Sequence, residues 1–190
     1  PIWDRNGSLV TSLVEWIDII AKVKPKSLIR NRSQEIEVVI YTDGYFPDQR
    51  KEETEEPRIG GVAFAKGRRN PVAFSAEVPR EVMDAWIPRK TQIVMVEAIA
   101  LPVAAETFKE LIRGKNVLWL VDSDPVLGAA VIGTSGCEDV CSGVVAFWEI
   151  VRQAEAKIYL DRIPTDGNLG DGPSRALWRV ARQCEWATVE

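Results

Sequence analysis

The chain alternates between stretches whose apolar residues recur at helical spacing and short, almost continuous apolar runs that suit buried strands. Residues 8–23 place Leu9, Leu13, Trp16, Ile17 and Ile20 on one face, which predicts an amphipathic helix. A basic stretch from Lys24 to Ser33 follows, so we read residues 1–34 as an extension or linker carrying that one helix. Residues 36–43 are apolar through most of their length and predict a central strand. A polar, acidic loop over 45–57 separates it from two further strands, 58–66 and 71–79, joined by a turn at Gly67-Arg68-Arg69-Asn70. Gly60-Gly61 inside the first of these predicts a bulge or a close approach of backbone.

Residues 80–90 read as irregular, with one helical turn at 81–86. A long helix is expected over 91–113, capped at Thr91 and stopped at Gly114, with Pro102 kinking it or breaking its bonding locally. A fourth strand follows at 116–122. Asp124-Pro125 then starts a short helix ending near Gly133. Residues 139–155 predict another helix and 157–163 a fifth strand, and a last helix runs from Pro173 to about Cys184. Three strands followed by helix–strand alternation describe an α/β domain over 35–190. Its mixed five-stranded sheet has three antiparallel strands and then two parallel ones, flanked by helices.

Four carboxylates break the hydrophobic pattern. Asp43 ends the run Val38 to Thr42, and Asp122 ends the run Val117 to Val121. Glu97 lies inside the apolar stretch Ile93 to Val103, and Asp171 opens a helix-like segment within Asn168 to Arg175. Each has a plainer reading. Asp43 before Gly44 suits a turn, Asp171 before Pro173 suits a first-turn acid, and Asp124 nearby is best read as a helix cap. Glu97 is the hardest to explain away, because Ile93, Val94, Ala100 and Leu101 surround it at helical spacing. A buried carboxylate is costly unless it is paired or binds a metal. No lysine or arginine lies inside the apolar runs, so together the four carboxylates point to a divalent-metal site and a metal-dependent hydrolase.

Composition narrows the chemistry. With 190 residues, 46% hydrophobic and 27% charged, the chain can bury the core of one domain. No apolar stretch approaches the roughly 18 residues of a membrane helix. Asp4 and Arg5 interrupt the first segment, so no secretory leader is expected, and the start at Pro1 suggests a piece of something longer. Three cysteines argue against a disulfide framework and for a reducing, intracellular location, cytoplasmic or nuclear. The absence of histidine excludes Ser-His-Asp and Cys-His catalysis, and leaves Cys137 and Cys141 short of a structural zinc site. A net charge of −4 weighs against nucleic-acid binding, but local clusters such as Lys66-Arg68-Arg69 and Arg89-Lys90 could meet phosphate. Trp119 and Trp148 read as core, whereas Trp86, beside Arg89 and Lys90, is the candidate for stacking on a nucleic acid.

Four segments then fall in a familiar order: Thr42-Asp43-Gly44, Val96-Glu97-Ala98, Val121-Asp122-Ser123 and Asn168 through Arg175. Over residues 36–183 the chain resembles the ribonuclease H family, and in particular the ribonuclease H domain of reverse-transcribing elements. The resemblance implies an endonuclease that cleaves the RNA strand of an RNA–DNA hybrid with two Mg2+ ions, Mn2+ being able to substitute. It implies that Asp43 bridges the ions, that Glu97 and Asp122 hold one, and that Asp171 holds the other. It further implies substrate contacts from Gly44, Ser123 and Asn168, beside Trp86 and Arg89, and covalent linkage to a polymerase. Many cellular members carry a histidine on the loop before the last carboxylate, where this chain has Asp166 and Asn168. Region 124–155 lacks the basic protrusion that some members use to grip the hybrid. Weak activity in isolation is therefore expected. A DNA-directed nuclease on the same fold, or an inactive scaffold, are the alternatives.

Overall fold

The computed structural model describes residues 35–47 and 56–189, together with Ile17 and Ala21. The chain divides into two units, residues 1–34 and 35–190. Apart from Ile17 and Ala21, the helix expected over 8–23 lies outside the described residues, as does most of the acidic loop.

Alternation along the first strand sets the layers of the domain. In β1 (Val38–Tyr45), Val38 and Ile40 are fully buried, while Val39 and Tyr41 on the opposite face are only half-buried. β2 (Arg58–Ala65) pairs antiparallel with β1, and β3 (Val72–Glu77) pairs antiparallel with β2. On the other side of β1, β4 (Asn116–Val121) runs parallel, and β5 (Lys157–Arg162) runs parallel to β4. A sixth strand, β6 (Ala187–Val189), adds parallel to β3, giving the order β5-β4-β1-β2-β3-β6. The sheet thus has one strand more than the pattern predicts, because a three-residue edge strand is too short to show alternation. The β1–β2 register is unbroken through Gly60 and Gly61, so these glycines mark a close approach and not a bulge.

Helices fill the connections: α1 (Arg80–Asp84), α2 (Ile93–Thr107), α3 (Lys109–Ile112), α4 (Asp124–Ile132), α5 (Glu138–Gln153), α6 (Asp171–Ser174) and α7 (Arg179–Gln183). α2 packs on β1 and α5, which explains why it is apolar nearly all round. α5 contributes one buried stripe, Val140, Val144, Phe147 and Val151, at helical spacing. Trp119 of β4 meets Phe147 edge to face, with centroids 5.0 Å apart. Full burial of each such side chain contributes about 1.5–3 kcal/mol. The other face of the sheet carries an edge-to-face chain, Tyr41 to Phe64 to Trp186, at 6.0 Å per step.

Two expected helices are divided. The segment 91–113 continues through Pro102 and breaks instead at Phe108, between α2 and α3. The last helix breaks after α6, where Ala176 takes φ 54° and the N–H of Leu177 reaches back 2.7 Å to the carbonyl of Gly172. Among the described residues no helix is long and apolar enough to cross a membrane.

Candidate active site

Parallel pairing of β1 with β4 brings two carboxylates level. Tyr41 stands opposite Leu120, so Asp43 and Asp122, each two residues further on, reach the same end of the sheet on neighbouring strands. Adjacent strands lie about 4.7–4.9 Å apart. Glu97 arrives from α2, and Gly44 makes that approach possible. A Cβ on Gly44 would sit 2.6 Å from the backbone nitrogen of Glu97. Asp171 arrives at the head of α6, which lies against β1 and β2. Here the required gap is at Gly60, where a Cβ would sit 2.2 Å from the backbone nitrogen of Ser174.

The segment before α6 is pinned to β1 by buried polar contacts. Asn168, 5% exposed, donates from Nδ2 to the carbonyl of Thr42 at 3.1 Å, and its Oδ1 accepts the N–H of Gly170 at 3.0 Å. Thr42 Oγ1 in turn accepts the indole N–H of Trp119 at 3.1 Å. The hydroxyl of Ser174 donates to Oδ2 of Asp43. Arg175 donates from Nε to Oδ1 of Asp171 at 2.7 Å and lies 4.8 Å above the ring of Tyr45.

Electrostatics mark two of these carboxylates, Asp43 and Glu97. Burial pushes Asp43 up from an ordinary 3.8 to about 6; the Ser174 hydrogen bond opposes the rise, Asp122 and Asp171 add to it, and Arg175 offsets part of it. Burial likewise raises Glu97 from 4.5 to about 7, helped by repulsion from Asp122 and Asp43. The Ser123 hydroxyl holds Glu97 down somewhat, although it stands outside hydrogen-bond geometry. Its Oγ is the one buried side-chain polar atom without a hydrogen-bond partner among the described residues. Asp43 therefore feels Asp122 and Asp171, and Glu97 feels Asp122 and Asp43, with Arg175 as the cation that relieves Asp43. Among the described residues no three acidic or cysteine side chains converge as a ready-made metal cage. Asp171 is turned to Arg175 and Asp43 to Ser174. The donor set is all hard oxygen at a crowded anionic end of the sheet, which fits Mg2+ or Mn2+.

No protein-family model matches the chain, and no curated protein matches it in sequence. Solved structures do. Ribonuclease H1 of the archaeon Halobacterium salinarum NRC-1 superposes with a TM-score of 0.54 at 16% identity, over 76% of this chain and 98% of that one. The N-terminal ribonuclease H domain of rv2228c from Mycobacterium tuberculosis gives 0.54 at 17% identity, over 80% and 99%. LC11-RNase H1, isolated from compost by a metagenomic approach, gives 0.50 at 16% identity, over 75% and 99%. The fold is that of ribonuclease H.

Within this ribonuclease H fold, Asp43 lies within electrostatic reach of Asp122 and Asp171, and Glu97 within reach of Asp122 and Asp43. The expected substrate contacts are placed differently. Trp86 is 8% exposed and packs into the hydrophobic core, so the stacking role expected for its indole is revised. Arg89 is committed to Asp139, with bonds of 2.7 and 2.6 Å from its two terminal nitrogens. That fork ties the 87–92 loop to the start of α5 and holds the Asp139 carboxyl down near 2. Gly44 faces the backbone of α2, Asn168 spends both ends of its amide on the chain, and Ser123 is 6% exposed beside Glu97.

Ser174, Arg175 and Thr42 escaped the sequence reading. The quoted segment Asp171 to Arg175 contains the first two, but nothing in one sequence says that a serine three residues after an aspartate reaches a different strand. Gly60 did leave a signal, as a glycine pair interrupting an apolar strand.

Proposed function

We propose that residues 35–190 are a metal-dependent endonuclease that hydrolyses the RNA strand of RNA–DNA hybrids, and that the chain is the C-terminal part of a reverse transcriptase from a retroelement. One observation carries the reading: on a ribonuclease H fold, Asp43 and Asp122 stand level on neighbouring parallel strands, and both Asp43 and Glu97 are driven toward neutrality by burial and mutual repulsion. A site that only stabilised the fold would gain nothing from this arrangement.

In this reading Asp43, Glu97, Asp122 and Asp171 hold two divalent ions. Bound there, the ions supply an activated water and charge stabilisation on the leaving oxygen. The remaining work belongs to the chain. Asn168 fixes the loop that delivers Asp171, Gly44 and Gly60 allow two helices to lie directly on the sheet, and Trp119 anchors Thr42 one residue before Asp43. Specificity for RNA would rest on 2′-hydroxyl contacts across a shallow groove.

The pairing of Asp171 with Arg175 and of Asp43 with Ser174 favours one competing reading, a scaffold whose acids are satisfied internally. Labelled RNA–DNA hybrid, RNA duplex and DNA duplex of one sequence, each incubated with Mg2+ or Mn2+, separate the readings. The nuclease cuts only the RNA strand of the hybrid. A DNA-directed relative cuts the DNA duplex. A scaffold cuts none, and its melting temperature does not rise with Mg2+.

A further inference from the structure

Ser174 is 0% exposed on a helix of only four residues. A hydroxyl in such a place is costly unless it is bonded. Its partners are Oδ2 of Asp43, on a strand 131 positions away in sequence, and the Asp171 carbonyl at 3.0 Å. The seat is specific: α6 reaches β1 and β2 only because Gly60 has no side chain, and Gly60 is the residue paired with Asp43 across the ladder. One glycine, one serine and one aspartate are therefore stacked at a single level of the sheet.

We propose that Ser174 is a positioning residue for the metal site: its hydroxyl, seated over Gly60, fixes one oxygen of Asp43 so that the other is presented to a divalent cation. The terminal torsion of an aspartate is broad, and a carboxylate ligand binds well only when its orientation is held. Ser174 supplies that hold without adding charge, in contrast to Arg175, which competes for Asp171 as a cation. This inference rests on the metal-dependent reading of the four carboxylates.

Ser174→Ala removes the hydroxyl alone and, being smaller, keeps the contact of α6 with Gly60. Two midpoints are read in Mg2+ titrations of the whole chain: that of the Mg2+-induced rise in melting temperature, and that of hybrid cleavage. Both are expected to move about 10-fold upward in Ser174→Ala, with KM for the hybrid at saturating Mg2+ unchanged. Ser174→Cys, a weak donor, is expected between alanine and wild type. Midpoints equal to wild type overturn the proposal, even if the variant melts lower without metal, because Ser174 is then only a packing residue. Wild type and Asp43→Asn run alongside keep the two failures apart. If wild type shows no Mg2+ response, the metal-dependent reading itself falls, and the role of Ser174 with it. If wild type responds, Asp43→Asn does not, and Ser174→Ala matches wild type, the positioning role alone fails.

Discussion

Replacing Asp43 by asparagine is expected to make the metal-free protein more stable while removing its response to Mg2+. Asp43 is 7% exposed, and its folded-state pKa is raised from 3.8 to about 6, chiefly by burial. Because the folded value lies above the unfolded one, this carboxyl costs nothing while both states are protonated. It destabilises increasingly as pH climbs through the interval between the two values. Above the upper value the cost is complete, about 3 kcal/mol from a shift of roughly two units at 1.36 kcal/mol each. Asparagine avoids the charge but accepts a weaker bond from Ser174, a loss of about 1 kcal/mol. The net gain near pH 8 is about 2 kcal/mol, a rise in melting temperature of about 4–8 °C for a domain of this size. Near pH 4 the cost of the charge is mostly gone, so the advantage should vanish or reverse. Thermal melts of both proteins in EDTA at the two pH values test this. An Asp43→Asn protein that is less stable than wild type near pH 8, or equally favoured at both pH values, would refute the account of a strained carboxylate. Glu97, raised to about 7, places the steepest loss of wild-type stability slightly higher in pH than Asp43 alone would.

Two further substitutions separate structure from substrate binding. Arg89→Ala leaves Asp139 without its fork, so it should lower the denaturant midpoint of unfolding with KM for the hybrid unchanged; a rise in KM without loss of stability would restore Arg89 as a substrate contact. Gly44→Ala forces a Cβ to within 2.6 Å of the Glu97 backbone. It should cost about 1–3 kcal/mol and weaken Mg2+ binding by displacing Glu97, as a calorimetric Mg2+ titration would read.

The parts of this fold that were legible are those where one residue type has one physical job. Apolar runs ending in aspartate gave β1, β4 and their two acids, and glycine stops correctly ended α4 at Gly133 and α3 near Gly114, both at positive φ. The division of the last helix has a local cause. Glu155, Ala176 and Glu185 also close helices at positive φ, at 53°, 54° and 55°, without being glycine. For Ala176 nothing in the sequence announces the turn that splits the last helix, since the strain is absorbed by the bonds of Ala176 and Leu177 back to Pro173 and Gly172. Trp86 misled for a different reason. Its basic neighbours suggested an exposed ring, but Arg89 is folded onto Asp139, and the loop turns the indole inward. Asp43 and Glu97 stood out because a charge on a buried element leaves a visible scar in a hydrophobic pattern. The uncharged groups that orient them, Ser174, Thr42 and Gly60, leave little or none.

The central claim is that the acids at the ends of β1 and β4, with Glu97 and Asp171, form a metal-dependent site for cutting RNA in a hybrid. Its most direct test is cleavage of a hybrid labelled on the RNA strand, with Mg2+ or Mn2+, by wild type, Asp43→Asn and Asp122→Asn. The account predicts RNA cleavage by wild type that EDTA abolishes and that both variants lose while remaining folded. Cleavage that survives in a folded Asp43→Asn protein, or a folded wild type that binds neither Mg2+ nor Mn2+ and leaves the RNA intact, would contradict it.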